Sequence, residues 1–260
     1  MEKDTHVNTW EACEERLLRI EKENSGEVWF RGLSNACWRL TTTLERQIAR
    51  IPYDGYCVHR YWALMSRIKL QVESVTGSSW EVPEWSEPEW PFETFFRETP
   101  AYGFMAYLRH HGFPSPLLDW SRSPYIAAYF AFAGRQTADN VAIYAFLERP
   151  PNIECLPSEG PKICTRGWYN LKTHGRHFRQ QSSYTACVER DATQHWRFVS
   201  HERIFDSSAT GQLYKTTIPS SERTEILKHL DRFNLNGFSL FGSEEALMDT
   251  LAFREIDLKS

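Results

Sequence analysis

The sequence lacks the features that commit a chain to a membrane, a disulfide framework or a broad nucleic-acid surface. Its longest apolar run, around residues 125–133, is too short to cross a bilayer, and the first residues after Met1 carry no signal-peptide pattern. The chain has 6 cysteines but no Cys-x-x-Cys pair, so reduced thiols are predicted rather than a zinc knuckle or disulfides. A formal net charge of -4 argues against nucleic-acid binding by counterion release. These absences predict one soluble, cytoplasmic domain over residues 1–260 that does not bind membranes.

Two further absences limit the kinds of site. No glycine-rich loop followed by lysine is present, so Gly32 and Gly112 are predicted to serve turns rather than a phosphate cradle. His174 with His177, and His195 with His201, have no carboxylate or cysteine at the spacing of a known metal site. These histidines are predicted to be solvated loop residues, and no metal is expected.

Aromatic side chains are abundant, at 14% of residues with 10 tryptophans. Large rings serve both packed cores and stacking sites, so composition alone leaves nucleotide binding, sugar binding and plain packing open. Residues 74–94 combine tryptophan, proline and glutamate with no basic residue and with neither a helical nor a strand period. This stretch is predicted to be an inserted loop that either covers an apolar flank of the domain or acts as a lid or docking element.

Hydrophobic periodicity predicts a mixture of helices and strands. Trp10, Cys13, Leu17 and Ile20 recur at helical spacing and predict a helix within residues 1–24. Further helices are predicted over 61–72, from Pro124, over 221–233 and after Ser243, strands over 141–147, within 178–188 and 196–205, and over 214–218, and a turn at Asn236 and Gly237. The pattern is that of an α+β fold.

Residues 110–124 are the most informative stretch, because they place titratable and hydroxyl side chains in a turn between two apolar segments. His110, Asp119, Ser121 and Ser123 lie here, and packing on both sides holds the turn in place. A second informative segment, Phe30-Arg31-Gly32, places an arginine at the end of an aromatic strand. These residues are the candidates for a functional site.

The two segments together resemble the FRG domain family, in which a Phe-Arg-Gly triplet precedes a His-Gly-Pro and Leu-Leu-Asp-Trp run and an alanine- and phenylalanine-rich helix. The resemblance covers most of residues 25–255, more weakly from Arg179 onward. The chain departs from the family pattern at Arg109, where glutamine is usual, and at Pro116, where arginine is usual. Besides the triplet, the matching positions are Trp38, Leu40, His110, Gly112, Pro114, Ser115, Leu117, Leu118, Asp119, Trp120, Ser121, Ser123, Pro124, Ala128, Phe130 and Ala131.

A looser resemblance links the order of these parts to the arginine-serine-glutamate branch of the ADP-ribosyltransferase superfamily. Arg31 takes the place of the arginine, Ser121-Arg122-Ser123 that of the hydroxyl motif and Gln181 that of the glutamate. This resemblance implies a mostly antiparallel, split β-sheet core with flanking helices and NAD as the substrate. The acceptor of ADP-ribose is then unknown and can be a protein, a nucleic acid or a small molecule, with water as the acceptor in an NAD glycohydrolase.

The same resemblance implies roles in binding NAD. Arg31, with Gly32 beside it, would hold the pyrophosphate by a planar charge-assisted fork. Ser121, with Ser123, would hydrogen-bond the nicotinamide ribose, and Trp120 or Tyr184 would stack on a ring of NAD.

The catalytic roles follow from the charge that develops on the ribose as the nicotinamide leaves. Gln181 can hydrogen-bond the ribose but supplies no negative charge, so Asp119 or Glu202 are alternative carboxylates for this role. His110 would act as general base toward the acceptor.

Each of these residues also has a purely structural interpretation. Arg31 can form an ion pair or a cation–π contact, and Asp119 can cap a helix or pair with an arginine. Ser123, just before Pro124, stands at an N-cap position.

Three functions remain open at this point. The first is an NAD-consuming ADP-ribosyltransferase or NAD glycohydrolase, for which the resemblance implies a toxin or phage-defence role and an antitoxin or regulatory partner. The second is a catalytically inert sensor that binds a nucleotide in the same pocket. The third, a nuclease or RNA-binding domain, ranks last, because the chain shows neither paired carboxylates at metal spacing nor a basic stripe.

Overall fold

The protein was analysed as a computed structural model that describes residues 3–24, 27–49, 56–88, 92–134, 136–147, 160–166, 171, 173–205 and 212–259. Within these ranges the strands are β1 (Asp4–His6), β2 (Val28–Leu33), β3 (Tyr56–Cys57), β4 (Leu118–Ser121), β5 (Asn140–Leu147), β6 (Lys162–Arg166), β7 (Ser182–Arg190), β8 (Trp196–Phe198) and β9 (Gln212–Pro219). The helices are α1 (Trp10–Glu23), α2 (Thr43–Ile48), α3 (Val58–Thr76), α4 (Phe92–Glu98), α5 (Ala101–His110), α6 (Pro124–Phe132), α7 (Gly175–Arg179), α8 (Glu202–Phe205), α9 (Arg223–Arg232), α10 (Gly237–Phe241) and α11 (Glu244–Ala252), with a 3-10 turn at Ser220–Glu222 and a π-turn at Phe253–Asp257.

The strands form one mixed sheet in the order β1-β9-β5-β2-β4-β7-β8-β3, with β6 paired to β7. The pairing of β1 with β9 is parallel, and the other pairings of the described strands are antiparallel. The fold is therefore mixed α/β with a largely antiparallel sheet, as the sequence predicts.

The join between β2 and β4 is the narrow point of the sheet. Phe30 pairs with Ser121, whereas β2 pairs with β5 along six positions and β4 pairs with β7 along four. Ser121 is the last residue of β4, so β2 and β4 separate along residues 31–33 and 118–120, where these described residues form no further pair and side chains or a ligand can lie between the strands. This divergence positions the candidate site described below.

Helices cover the sheet in two main hydrophobic clusters. In one cluster α1 and α9 pack with α6 against β2 and β5, and the four apolar positions predicted for the first helix are all buried there. In the other, α3, α4 and α5 pack against β7 and β8. The helical spacing read from the sequence is confirmed for α1 and α3, because burial of one apolar face drives each of these helices, and the helix predicted from Pro124 is α6.

The turn that opens α6 forms as predicted. Ser123 is the N-cap, its hydroxyl accepts a hydrogen bond from the backbone of Ile126 at 3.4 Å, and Pro124 occupies the first turn. A proline there has no N–H to leave unpaired. The strand predicted over 141–147, the strand over 214–218 and the helix after Ser243 are also confirmed.

Two predicted strands are confirmed over part of their ranges, and the predicted turn at Asn236 is corrected. Strand β7 begins at Ser182, because residues 175–179 form helix α7, whose N-cap is His174. Strand β8 ends at Phe198, and residues 202–205 form α8. Asn236 does not simply turn the chain but caps the short helix α10. Local caps were decisive in α7 and α10, where a side chain accepts a hydrogen bond from a backbone N–H of the first turn.

Gly32 and two histidines also differ from prediction. Gly32 lies within β2, and a Cβ placed on it would stand 1.9 Å from the carbonyl oxygen of Ala127, so it permits close packing of α6 rather than a turn. Gly112, with φ +83, does lie in a turn. His177 and His201 are fully buried rather than solvated, because each ring hydrogen-bonds a hydroxyl in the core.

The tryptophan-rich stretch begins later than predicted, since α3 continues to Thr76 and α4 starts at Phe92. Residues 77–88 have no helix or strand, and residues 89–91 lie outside the described ranges. Trp80 packs on Phe104 and Tyr107, and Trp85 packs edge-on to Trp62 at 5.3 Å. The stretch thus covers an apolar flank of the domain.

The sequence predicts neither a membrane-spanning helix nor a disulfide framework. None of the helices described is both long enough and apolar enough to span a bilayer. Cys13, Cys37, Cys57, Cys164 and Cys187 carry free thiols, and Cys155 lies outside the described residues.

Candidate functional site

A cavity of about 340 Å³ opens where β2 and β4 diverge. Its volume lies at the lower end of the range usual for small-molecule sites. Residues from β2, β4, β7, α5, α6, α7 and α10, with three residues between elements, form its wall: Arg31, Gly32, Leu33, Ser34, Trp38, Arg109, His110, Asp119, Trp120, Ser121, Ala127, Phe130, Arg176, Gln180, Ser182 and Phe241. The cavity therefore brings Arg31 and Ser121 into one wall.

Arg31 is half-buried at the edge of the cavity. Its Nη1 donates a hydrogen bond of 2.6 Å to the backbone oxygen of Asp119, which ties β2 to β4 beyond their shared pair. Its buried Nε has no hydrogen-bond acceptor in the described part of the chain. Burial lowers the pKa of Arg31 to about 10, with the Asp119 carboxylate opposing the shift and Arg109 and Arg46 adding to it. The guanidinium remains charged at neutral pH.

Asp119 supplies the carboxylate of this wall. Its Oδ1 lies 3.0 Å from Nε of Arg109 without the alignment of a hydrogen bond, so the contact is an ion pair. Both side chains are mostly shielded from water, which makes such a pair stronger than one on the surface. Arg109, where the family usually has glutamine, thus interacts directly with the candidate catalytic carboxylate.

A third guanidinium enters from α7. Arg176 donates to the backbone oxygen of His110 at 3.2 Å, and its guanidinium carbon lies 5.5 Å from the ring centre of Phe241. With Arg31 and Arg109, the wall carries three guanidinium groups against one carboxylate. This excess of positive charge makes the cavity suitable for an anion.

His110 contributes to the wall as a neutral imidazole. Burial lowers its pKa to about 4, the Asp119 carboxylate opposes this, and Arg109, His177 and His111 add to it. The ring Nε2 lies 2.7 Å from the hydroxyl of Tyr184. At neutral pH His110 can therefore accept a proton but does not stabilise an anion by charge.

The serine hydroxyls are engaged within the protein. Ser121 donates to the backbone oxygen of Gln180 at 2.9 Å and accepts from the backbone N–H of Ser123 at 3.1 Å. Ser123 caps α6 and does not line the cavity. Ser121 is thus in the wall, but one of its hydrogen bonds holds the β4–α6 turn and the other ties β4 to the residue that ends α7.

The aromatic residues predicted to stack on a ligand are buried. The Trp120 indole, 2% exposed, packs on Phe146 and donates from Nε1 to the Thr185 hydroxyl at 2.8 Å. Tyr184 is fully buried behind His110 and does not line the cavity. The structure leaves neither ring open to a ligand.

The two glutamines after α7 take different positions. Gln181, predicted for the third catalytic place, is exposed, does not line the cavity and adopts φ 47 at the bend between α7 and β7. Gln180 is buried in the wall, where its side chain donates to the backbone oxygen of Leu240 at 3.3 Å. Glu202, the alternative carboxylate, pairs with Arg39 at 2.9 Å and lines a different cavity.

Sequence reasoning assigned no role in the site to several wall residues. Trp38, 53% exposed, and Phe130 were noted only as positions that match the family pattern. Phe130 and Phe241 meet edge to face at 5.9 Å, although they are far apart in sequence. The departure at Arg109 was the one available signal for that residue, whereas nothing in the local sequence marks Arg176 or Phe241.

Comparison with known proteins identifies the family. A family model of the FRG domain matches residues 26–140, which include Arg31, His110, Asp119 and Ser121. The match assigns residues 26–140 to the FRG domain family. The wall residues from α7 and α10 lie beyond the match. No curated protein and no solved structure matches the chain.

Proposed function

We propose that this cavity binds NAD and that the protein cleaves the nicotinamide–ribose bond, as an ADP-ribosyltransferase or an NAD glycohydrolase. One observation carries the proposal, namely three guanidinium groups, one carboxylate and an exposed indole in a single cavity between diverging strands. We also propose that the fold is related to that of the ADP-ribosyltransferases, an idea supported by the order of Arg31, Ser121 and α6 around the diverging strands.

The arginines fit the pyrophosphate of NAD. A planar guanidinium offers paired N–H donors that match phosphate oxygens, and a partly dehydrated site strengthens such bonds. Arg31 has a buried Nε without an acceptor among the described residues, which a phosphate oxygen would satisfy. Its Nη1 bond to the Asp119 backbone holds the guanidinium in place beforehand.

The apolar part of the wall fits a ring. Trp38 exposes half of its surface, and the Phe130–Phe241 pair forms another apolar side. A flat heterocycle gains binding free energy by stacking on such a side chain, and a preformed cavity limits the conformational entropy lost on binding.

Asp119 fits the catalytic carboxylate. Departure of nicotinamide leaves positive charge on the ribose, and a fixed carboxylate stabilises that charge more in the transition state than in the ground state. Asp119 is in the wall, whereas Gln181 and Glu202 are not. His110, neutral and in the same wall, serves as general base toward the acceptor or water.

A second candidate function is binding of a nucleotide without cleavage. The observation that favours it is that the Ser121 hydroxyl is used within the protein and that Asp119 is already paired with Arg109. A carboxylate neutralised by an arginine stabilises a developing cation less than an unpaired one.

Nicotinamide release from NAD separates the two functions. We expect the wild-type protein to release nicotinamide, Asp119→Asn to bind NAD but to react at least about 100-fold more slowly, and Arg31→Ala to lose binding. Glu202→Gln is the matched control, because it removes a paired carboxylate in another cavity. NAD binding without release, measured by calorimetry and chromatography, would support the sensor.

Absence of both binding and release, with protein and nucleic-acid acceptors also supplied, would refute the two functions together. If release is seen, the labelled acceptor identifies the macromolecular partner. An effector role as a toxin or in phage defence, with an antitoxin or regulator as partner, is proposed on family resemblance.

A further inference from the structure

A buried chain of hydrogen bonds runs from the cavity into the core. His110 Nε2, at the end of α5, lies 2.7 Å from the Tyr184 hydroxyl on β7. The same hydroxyl lies 2.8 Å from Nδ1 of His177 on α7. Of these three residues, only His110 lines the cavity, while Tyr184 and His177 are fully buried.

The phenol couples the two imidazoles, because it carries one proton. Burial holds the pKa of Tyr184 well above its ordinary value, so the hydroxyl stays protonated. It can donate to one histidine and must accept from the other. When Tyr184 donates to His177, His110 donates from Nε2 and presents Nδ1 as a base. When Tyr184 donates to His110, the direction of both hydrogen bonds is reversed.

The charges around His110 oppose storage of a proton on its ring. Arg109 and His111 lie beside it on the chain, and Arg176 and His177 approach from α7. Asp119 on β4 is the opposing charge, and it is paired with Arg109. If the Nε2 proton leaves as Nδ1 takes a proton from an acceptor, the His110 ring stays neutral and holds no charge beside these cations.

We propose that Tyr184 and His177 are positioning residues of a proton relay that allows His110 to act as general base. This inference rests on the proposed NAD-cleaving function. As the nicotinamide C–N bond breaks, its electron pair goes to the pyridinium ring, and the acceptor forms a bond to the ribose carbon. The acceptor proton goes to His110 Nδ1, the Nε2 proton to Tyr184 Oη, and the Oη proton to His177 Nδ1. Each proton moves back along the same atoms when the products leave.

The packing of the relay keeps its atoms aligned. The His177 ring stacks on Tyr184 at 5.6 Å with 13° between the planes, and Tyr102 meets Tyr184 edge-on at 6.0 Å. Short bonds held by packed rings need no reorganisation before a proton moves.

The chain offers a closely matched control for the relay. Tyr102 is fully buried beside Tyr184, and its hydroxyl has no hydrogen-bond partner among the described residues. Tyr184→Phe and Tyr102→Phe each remove one buried hydroxyl from the same cluster. Only the first interrupts the chain, so the pair separates loss of the relay from general disturbance of the core.

The first measurement needs no NAD. Nitrogen-15 NMR of the histidine rings at pH 7 is expected to show one fixed tautomer for both His110 and His177 in the wild type and in Tyr102→Phe. In Tyr184→Phe the His110 signal is expected to become a tautomer mixture. An unchanged His110 tautomer in Tyr184→Phe would overturn the relay, whether or not the protein cleaves NAD.

The second measurement is the rate of nicotinamide release in mixtures of H2O and D2O. The wild type and Tyr102→Phe are expected to show a curved proton inventory, whereas Tyr184→Phe shows a linear one, a rate lower by about 100-fold and unchanged NAD affinity. A wild-type rate or a curved inventory in Tyr184→Phe would overturn the relay. If the wild type releases no nicotinamide, the proposed function fails and the relay fails as a catalytic device, even where the NMR result supports the hydrogen bonds.

Discussion

Replacing Gly32 with alanine tests the closest approach between β2 and α6. The new Cβ would lie 1.9 Å from the carbonyl oxygen of Ala127 and 2.6 Å from the backbone nitrogen of Ala131. Both atoms belong to the backbone of a buried helix, so no side-chain rotation relieves the clash. Overpacking of this kind costs about 1–3 kcal/mol, and we expect the upper end, about 3 kcal/mol.

For a chain of this size, that loss corresponds to a Tm lower by about 6–12 °C. Calorimetry or circular dichroism would measure the shift. Gly134→Ala is the control, because Gly134 follows the end of α6, and a Cβ there meets no atom of the described residues within 4 Å. Because Ala127 and Phe130 line the cavity, Gly32→Ala should also weaken binding of NAD. Equal melting temperatures for the two variants would refute the packing argument.

Three further predictions concern the site and its surroundings. Ser121→Ala should lower the free energy of unfolding by about 1–2 kcal/mol in urea titrations, since two hydrogen bonds are lost; an unchanged stability would contradict the structural role of the hydroxyl. Trp38→Ala should weaken NAD binding by about 10-fold in calorimetry, because ring stacking is lost. An unchanged melting temperature serves as the control for folding. Equal NAD affinity of the variant and the wild type would show that Trp38 does not contact the ligand. Burial lowers the pKa of His201 to about 3, so below pH 6.5 the unfolded chain takes up a proton that the folded protein excludes. The free energy of unfolding should therefore fall by about 1 kcal/mol per pH unit between pH 6 and pH 5, and by less in His201→Gln. A wild-type free energy of unfolding that does not change over this pH range would refute the prediction.

Several elements were predictable because their signals are local. The apolar face of α1 and the Ser123–Pro124 start of α6 are both encoded within a few neighbouring residues. The triplet around Arg31 and the turn around Asp119 also stand out by composition, and the fold brings Arg31 and Asp119 to one cavity. Such signals depend on periodicity and capping, which act over one or two turns of chain.

The composition of the cavity wall was less predictable. Arg176 and Phe241 reach it from segments that carry no motif, because the packing of α7 and α10 brings them there. Gln180, not Gln181, faces the wall, since the bend at Gln181 turns its side chain to solvent. A shift of one residue reverses which side chain is buried, and no local pattern specifies it.

The sequence by itself determined the family, the mixed helix and strand content and the two segments that carry Arg31 and Asp119. Only the tertiary structure decided which polar groups are open to a ligand and which are used internally. Tyr184 is an example, because the sequence predicts that its ring stacks on a ligand, whereas the structure buries it between His110 and His177. The reason is physical: strand register and long-range packing set the partners of each hydrogen bond, and these contacts join residues far apart in the chain.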